Sequence, residues 1–154
     1  MPLHAVPDAL TYLAGDWYVE RTVRDFAGAA DEPVEGRFTG TTRFTPIDGG
    51  GLLHHESGTF TWHGVARPAE RTLRFLPGEG TGGDAGTVRV HFADGRFFHD
   101  LDLRSGRHTA DHPCSADLYR GEFEVYEEAR WRTRWRVAGP AKDLLLTTDY
   151  TRRP

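Results

Sequence analysis

Across 154 residues the chain carries one cysteine, one methionine and one lysine, and no apolar run approaches eighteen residues. The single thiol, Cys114, excludes an internal disulfide framework. Without a long apolar run there is no membrane-spanning helix to expect. A formal net charge of -4 argues against a general nucleic-acid binder, which needs a basic surface to neutralise phosphates. The first residues hold no basic segment followed by an apolar core, so no secretory signal is expected and the chain reads as cytoplasmic. Lys142 is the only lysine, and the glycine-rich residues 78–86 lack the lysine and following helix of a phosphate-binding loop.

Glycine and proline, by contrast, are plentiful. Eighteen glycines and nine prolines, spread along the chain, suit many tight turns better than long helices. Between those turns about ten short segments alternate apolar and polar residues with period two, the pattern of half-buried strands. Strands are predicted at 16–24, 35–45, 51–62, 69–76, 86–92, 96–104, 107–112, 117–126, 130–138 and 143–152. Residues 7–15 read as one short helix, with Asp8 as cap and Gly15 as stop. By composition, residues 27–33 and 77–86 are surface loops. Residues 1–154 are expected to form a single all-β domain, an up-and-down antiparallel β-barrel of about ten strands preceded by a short helix. Closure removes free sheet edges, and ten strands leave room for a cavity.

The hairpin signal Asp94-Gly95 favours a two-residue turn that pairs Phe92 with Phe97, Val90 with His99 and Val88 with Leu101 on one face. His91 with Phe98 and Arg89 with Asp100 then fall on the other face. In residues 130–137 four arginines alternate with Trp131, Thr133, Trp135 and Val137. Period two sends the arginines outward over an apolar inner face, which favours a solvated surface over a nucleic-acid groove.

The same alternation places ionisable residues inside: Arg21, His54, Glu56, His99 and Asp117. An unpaired buried charge costs several kcal/mol, so a sheet with no task beyond folding would not hold these groups on its inner face. Candidate ligand-binding residues are Trp17, Arg21, Phe38, His54, Glu56, Arg71, His99, Tyr119, Trp131, Trp135 and Tyr150. Glu56, with Arg21 or Arg71, is either a structural ion pair or a carboxylate ready for acid–base work. His54 and His99 are either hydrogen-bonded interior histidines or proton-transfer groups. The His54–His55 pair leaves open which ring faces inward. His108, His112 and Cys114 suggest a metal, but 108 and 112 on a strand stand about 13 Å apart, too far to share one ion. No metal is expected, and Cys114 has no neighbour that would activate it.

Gly15-Asp16-Trp17 after a short helix resembles the Gly-x-Trp opening of lipocalins and related calycin barrels. In those barrels the tryptophan closes one end beneath an arginine of the last strand, a part that falls here to Arg152. A wider set of motifs is more specific: Leu13-Ala14-Gly15-Asp16-Trp17, Phe38-x-Gly40, Glu56-x-Gly58, Asp94-Gly95-Arg96-x-Phe98-His99, His112-x-Cys114, Asp117-Leu118-Tyr119-x-Gly121 and Gly139-Pro140-x-Lys142-Asp143. Together they resemble a family of small lipocalin-like proteins, domain of unknown function 6314, over nearly the whole chain. That resemblance implies one barrel and carries no activity. Ala141 stands where an arginine would be usual before Lys142, which weakens any ligand role for residues 139–143. Nitrobindin-type haem barrels share the ten-strand outline but ligate iron through a histidine near the C-terminus. No histidine follows His112 here, so haem would fall to His54 or His99, and no cofactor is expected.

The expected function is binding of a small, mostly apolar molecule with one polar end, oriented by Arg21, Glu56 and His99. A cofactor-free isomerase, cyclase or dehydratase using Glu56 or His99 is the alternative, with Arg21 or Tyr119 stabilising negative charge. A structural or interaction module is the third reading. The expected partner is a small molecule rather than nucleic acid or membrane, and homo-oligomerisation stays open.

Overall fold

The computed structural model describes residues 2–28, 34–78 and 84–154. The two predicted loops at 27–33 and 77–86 therefore lie partly outside the described residues. Helix α1 (Ala9–Leu13) starts where the Asp8 carboxylate accepts the Leu10 N–H at 3.2 Å and the Thr11 hydroxyl at 3.0 Å. It ends at Ala14, and Gly15 follows with φ +111°, a conformation that glycine adopts without strain.

Ten strands follow: β1 (Gly15–Asp25), β2 (Val34–Pro46), β3 (Leu52–Trp62), β4 (Val65–Pro77), β5 (Val88–Phe92), β6 (Phe97–Leu101), β7 (Arg107–Cys114), β8 (Asp117–Glu127), β9 (Arg130–Ala138) and β10 (Asp143–Arg152). They form one antiparallel sheet in the order β6-β5-β4-β3-β2-β1-β10-β9-β8-β7. Pairing of β1 with β10 joins the chain ends, and the sheet curls until β6 and β7 lie side by side. No ladder joins those two strands among the described residues, so the lipocalin-like barrel is nearly closed, with a seam.

Three boundaries differ from expectation for local reasons. β4 starts four residues early because His63 and Gly64, at φ +50° and +76°, make a two-residue turn that pairs Trp62 with Val65. Pro68 is tolerated there because β5 pairs only with the Leu73–Pro77 half of β4, leaving Pro68 on a free edge. β6 stops at Leu101, where Asp102 accepts the Arg104 N–H and guanidinium and turns the chain. β7 runs on to Cys114 through Pro113, pairing only with β8.

The Asp94-Gly95 hairpin corrects the predicted register. Val88–Leu101, Arg89–Asp100 and Val90–His99 pair as expected, but a bulge follows Val90 and His91 pairs with Phe97. The Phe92 N–H donates to the Arg96 carbonyl at 2.8 Å, and only Gly95 of the turn takes positive φ. The turn thus spans three residues, not two. Phe97, expected inside, is 50 % exposed, and Phe98, expected outside, stacks on Phe92 at 4.5 Å.

The end of the barrel beside α1 is packed shut. Trp17 is fully buried and its indole N–H donates to the Leu13 carbonyl at 2.8 Å. Arg152 lies 4.1 Å from the Trp17 ring centroid and donates to the Ala14 and Tyr12 carbonyls, the unsatisfied end of α1. Residues 4–6 strap the lower seam through His4 N–H to Val125 O and Val6 N–H to Leu103 O. On the outer wall the arginine row is neutralised: Arg132 by Asp149, Arg134 by Glu124 and Arg136 by Asp143.

Candidate ligand-binding site

Above this packed floor the strands no longer fill the barrel. A cavity of about 240 Å³ lies between β3, β4, the tip of the β5–β6 hairpin and β8–β10. Eight predicted residues line it: Arg21, His54, Arg71, His99, Tyr119, Trp131, Trp135 and Tyr150. Phe38 and Glu56 line an adjoining recess of about 230 Å³, which shares Arg21, Arg71 and Leu146 with the cavity. Trp17 lines neither, because it belongs to the floor.

Its walls are mostly aromatic. Trp131 stacks on Tyr150 at 3.8 Å between ring centroids, Phe98 on Trp135 at 5.2 Å, and Phe123 packs against both tryptophans. Gly121 sets the depth of this wall: a methyl group there would stand 2.6 Å from the Trp135 ring. Phe92, Phe98, Thr133 and Thr148 also line the cavity and were not among the predicted residues. For Phe98 the missing signal was the bulge, whereas Phe92 lies on the face that it was expected to share with Val90 and His99. The threonines sit on the predicted inner face of their strands, where a hydroxyl looks like ordinary strand composition.

Glu56 sits 2 % exposed at mid-barrel. Its ladder neighbour on β4 is Arg71, yet both of its oxygens are taken by Arg21, reaching over from β1 at 2.7 and 2.8 Å. Arg21 Nε also donates to the Thr148 hydroxyl at 2.8 Å. Arg71 stands 3.9 Å from the same carboxylate. Burial pushes the Glu56 carboxyl up, but the Arg21 hydrogen bonds and charge outweigh it and hold it below the usual range. Ionised and clamped, Glu56 is a poor proton acceptor.

The two inner histidines differ. His99 donates Nδ1–H to the Asp100 carbonyl at 2.7 Å, which leaves Nε2 as an acceptor. Burial pushes its pKa down to about 4. His54 is the inward member of its pair, 2 % exposed and stacked on Phe44 at 4.6 Å, whereas His55 is exposed and faces Thr72. Burial, with Arg71 nearby, pushes His54 down to about 3. Among the described residues neither His54 ring nitrogen has a hydrogen-bond partner, and neither does the buried Trp131 indole N–H. Each such group costs about 1–3 kcal/mol relative to one that is satisfied.

Residues 13–152 match the family of unknown function (DUF6314). The chain belongs to that family. The DUF6314 barrel is similar in fold to the S-type phycobiliprotein lyase CPES from Guillardia theta (TM-score 0.71, 7 % identity, covering 98 % of this chain and 94 % of that one). It is also similar to a DUF3598-family protein of unknown function from Nostoc punctiforme (TM-score 0.62, 15 % identity). There it covers 99 % of this chain but spans only about half, 51 %, of the other. No curated protein matches the sequence.

Away from the cavity, the remaining predicted groups of the DUF6314 barrel have other surroundings. Asp117, expected inside, instead pairs with Lys142 at 3.2 Å across the open rim. His112 packs on Phe92, Phe98 and Tyr119 along the upper seam, and Cys114 is exposed. Among the described residues no group of three or more His, Cys, Asp and Glu is placed to hold a metal ion, and no helix is long and apolar enough to cross a membrane.

Proposed function

We propose that this DUF6314 barrel binds a small, mostly apolar molecule in its aromatic cavity and holds one polar end of it by hydrogen bonds. The observation that carries this reading is the unpartnered nitrogen of His54 and Trp131 in the wall of an aromatic cavity. A purely structural polar network would satisfy its own members, because a half-satisfied one is worse than an apolar core. Both rings line the cavity, so a ligand carrying a hydrogen-bonding group would supply the missing partners once a ring turns its buried nitrogen towards it. At about 240 Å³ the cavity falls just below the usual range for drug-sized molecules, so the ligand is small.

The acid–base alternative rests on His99, the interior histidine whose tautomer is fixed with an accepting nitrogen towards the cavity side of the sheet. Its low pKa makes it a weak base, and Glu56 is tied to Arg21. Both points favour binding over turnover. A cytoplasmic setting, with the exposed Cys114 kept reduced, is part of the same proposal.

The test is native mass spectrometry of the protein purified gently from its own host, followed by denaturation to identify any released molecule. A stoichiometric small molecule recovered unchanged supports binding. An empty barrel that gains no thermal stability from a broad library of small apolar and aromatic compounds overturns it.

A further inference from the structure

We propose that the ligand is a small aromatic acid, whose ring lies between the aromatic walls and whose carboxylate is taken by Arg71. This rests on the binding reading above. The cluster at the waist of the barrel contains two guanidiniums, Arg21 and Arg71, and one carboxylate, Glu56. Both Glu56 oxygens are committed to Arg21, and those side chains are only 3 % and 11 % exposed. Arg71 stands 3.9 Å from the carboxylate, outside hydrogen-bond range, with its side chain 46 % exposed. One positive charge is therefore left over.

That charge is well placed. Arg71 lines both the cavity and the adjoining recess, while Glu56 lines only the recess. Arg21 and Arg71 are the charged side chains among the cavity-lining residues; the nearby carboxylates, Glu56 and Glu70, line the adjoining recess and not the cavity. The field of Arg71 reaches inward, since it helps hold His54 and His99 neutral and acts on the Tyr150 hydroxyl. A guanidinium presents a planar fork that matches a carboxylate, and its grip strengthens in partly desolvated surroundings. The stacked pairs Trp131–Tyr150 and Phe98–Trp135 offer flat faces to a planar ring. Arg21, whose charge is spent on Glu56, is the wrong anchor; Arg71 is the available one.

The probes are benzoate, cinnamate and 2-naphthoate, each paired with its primary amide. Binding is followed by tryptophan fluorescence, to which the cavity-lining Trp131 and Trp135 contribute alongside Trp17 and Trp62, and by calorimetry. The acids should bind about ten- to a hundredfold more tightly than their amides, the worth of a charge-assisted hydrogen bond. Arg71→Gln should erase that preference, weakening the acids about ten- to a hundredfold more than the amides, with the melting temperature near that of the wild type. Arg71→Lys, which keeps the charge and loses the fork, should fall between. Acids and amides binding alike, or an acid preference that survives Arg71→Gln, overturns the anion assignment and leaves the cavity reading standing. If neither acids nor amides bind at millimolar concentration, the aromatic-acid assignment is overturned, and the binding reading is decided separately by native mass spectrometry and the broad library.

Discussion

Replacing Glu56 by glutamine tests whether the interior ion pair is the structural keystone that its geometry implies. The substitution keeps the shape but leaves the Arg21 guanidinium, with its side chain 11 % exposed, without a counter-charge and with Arg71 as a like-charged neighbour. Removing one partner of a buried pair costs about 3–5 kcal/mol. For a chain of this size that corresponds to a melting temperature about 6–20 °C lower. The loss has a defined pH dependence. Because the native carboxyl titrates below its unfolded value, its contribution is complete above about pH 4.5 and fades as the pH falls through the native pKa. The gap between wild type and Glu56→Gln in urea or thermal unfolding should therefore be widest near pH 7 and narrow on acidification. The double variant Arg21→Met with Glu56→Leu should be more stable than Glu56→Gln alone, since it leaves no orphaned charge. A gap under about 1 kcal/mol at pH 7, or one that does not narrow below pH 4.5, refutes the reasoning.

His54→Phe should stabilise the ligand-free protein by about 1–2 kcal/mol, because it keeps the stack on Phe44 and removes two unpartnered nitrogens; it should also weaken ligand binding. A lower melting temperature would mean that the imidazole is already satisfied, for instance by a trapped water. Gly121→Ala should cost about 1–3 kcal/mol and shift tryptophan emission by driving a methyl into Trp135; unchanged stability and emission would count against the close packing of that wall. In NMR titrations the rings of His54 and His99 should stay neutral down to about pH 5. Since both titrate lower when folded than unfolded, the stability they contribute is complete above about pH 6.5 and is lost as pH falls towards about 4. Titration of either ring near pH 6.5 in the native protein would show that burial does not govern it.

Much of the barrel is legible because its physics is local. Period-two alternation places Trp17, Val19, Phe44, His54, Glu56 and Trp131 inward, and all six are buried. The helix cap at Asp8 and the Arg152–Trp17 contact also fall where short motifs put them. The site is less legible, for three distinct reasons. The Asp94-Gly95 pair fits both a two-residue turn and a three-residue turn with a bulge, and which one forms depends on tertiary packing that moves Phe98 from the outer to the inner face. The choice of Arg21 over Arg71 as the partner of Glu56 is equally non-local. Ladder pairing would favour Arg71, its direct neighbour, yet Arg21 reaches across β2 from two strands away. Asp117 fails for a third reason: it sits at the rim, where alternation no longer distinguishes inside from outside, and Lys142 draws it to the edge.

Strand length explains why the barrel has a cavity at all. β3 and β4 run for 11 and 13 residues, whereas β5 and β6 run for five each. At strand rise this is about 36–43 Å against about 17 Å. Below, where all ten strands are present, Val88, Val90, Leu101, Val125 and Trp17 belong to one buried apolar core. Above, the short β5–β6 hairpin ends near Phe92 and Phe98, and Tyr119 of β8 and Val137 of β9 line the cavity. Phe98 and His112 close the upper seam by ring contact instead of a hydrogen-bonded ladder. Side-chain contacts of that kind yield more readily than paired backbone, so the β6–β7 seam is the softest stretch of wall around the cavity.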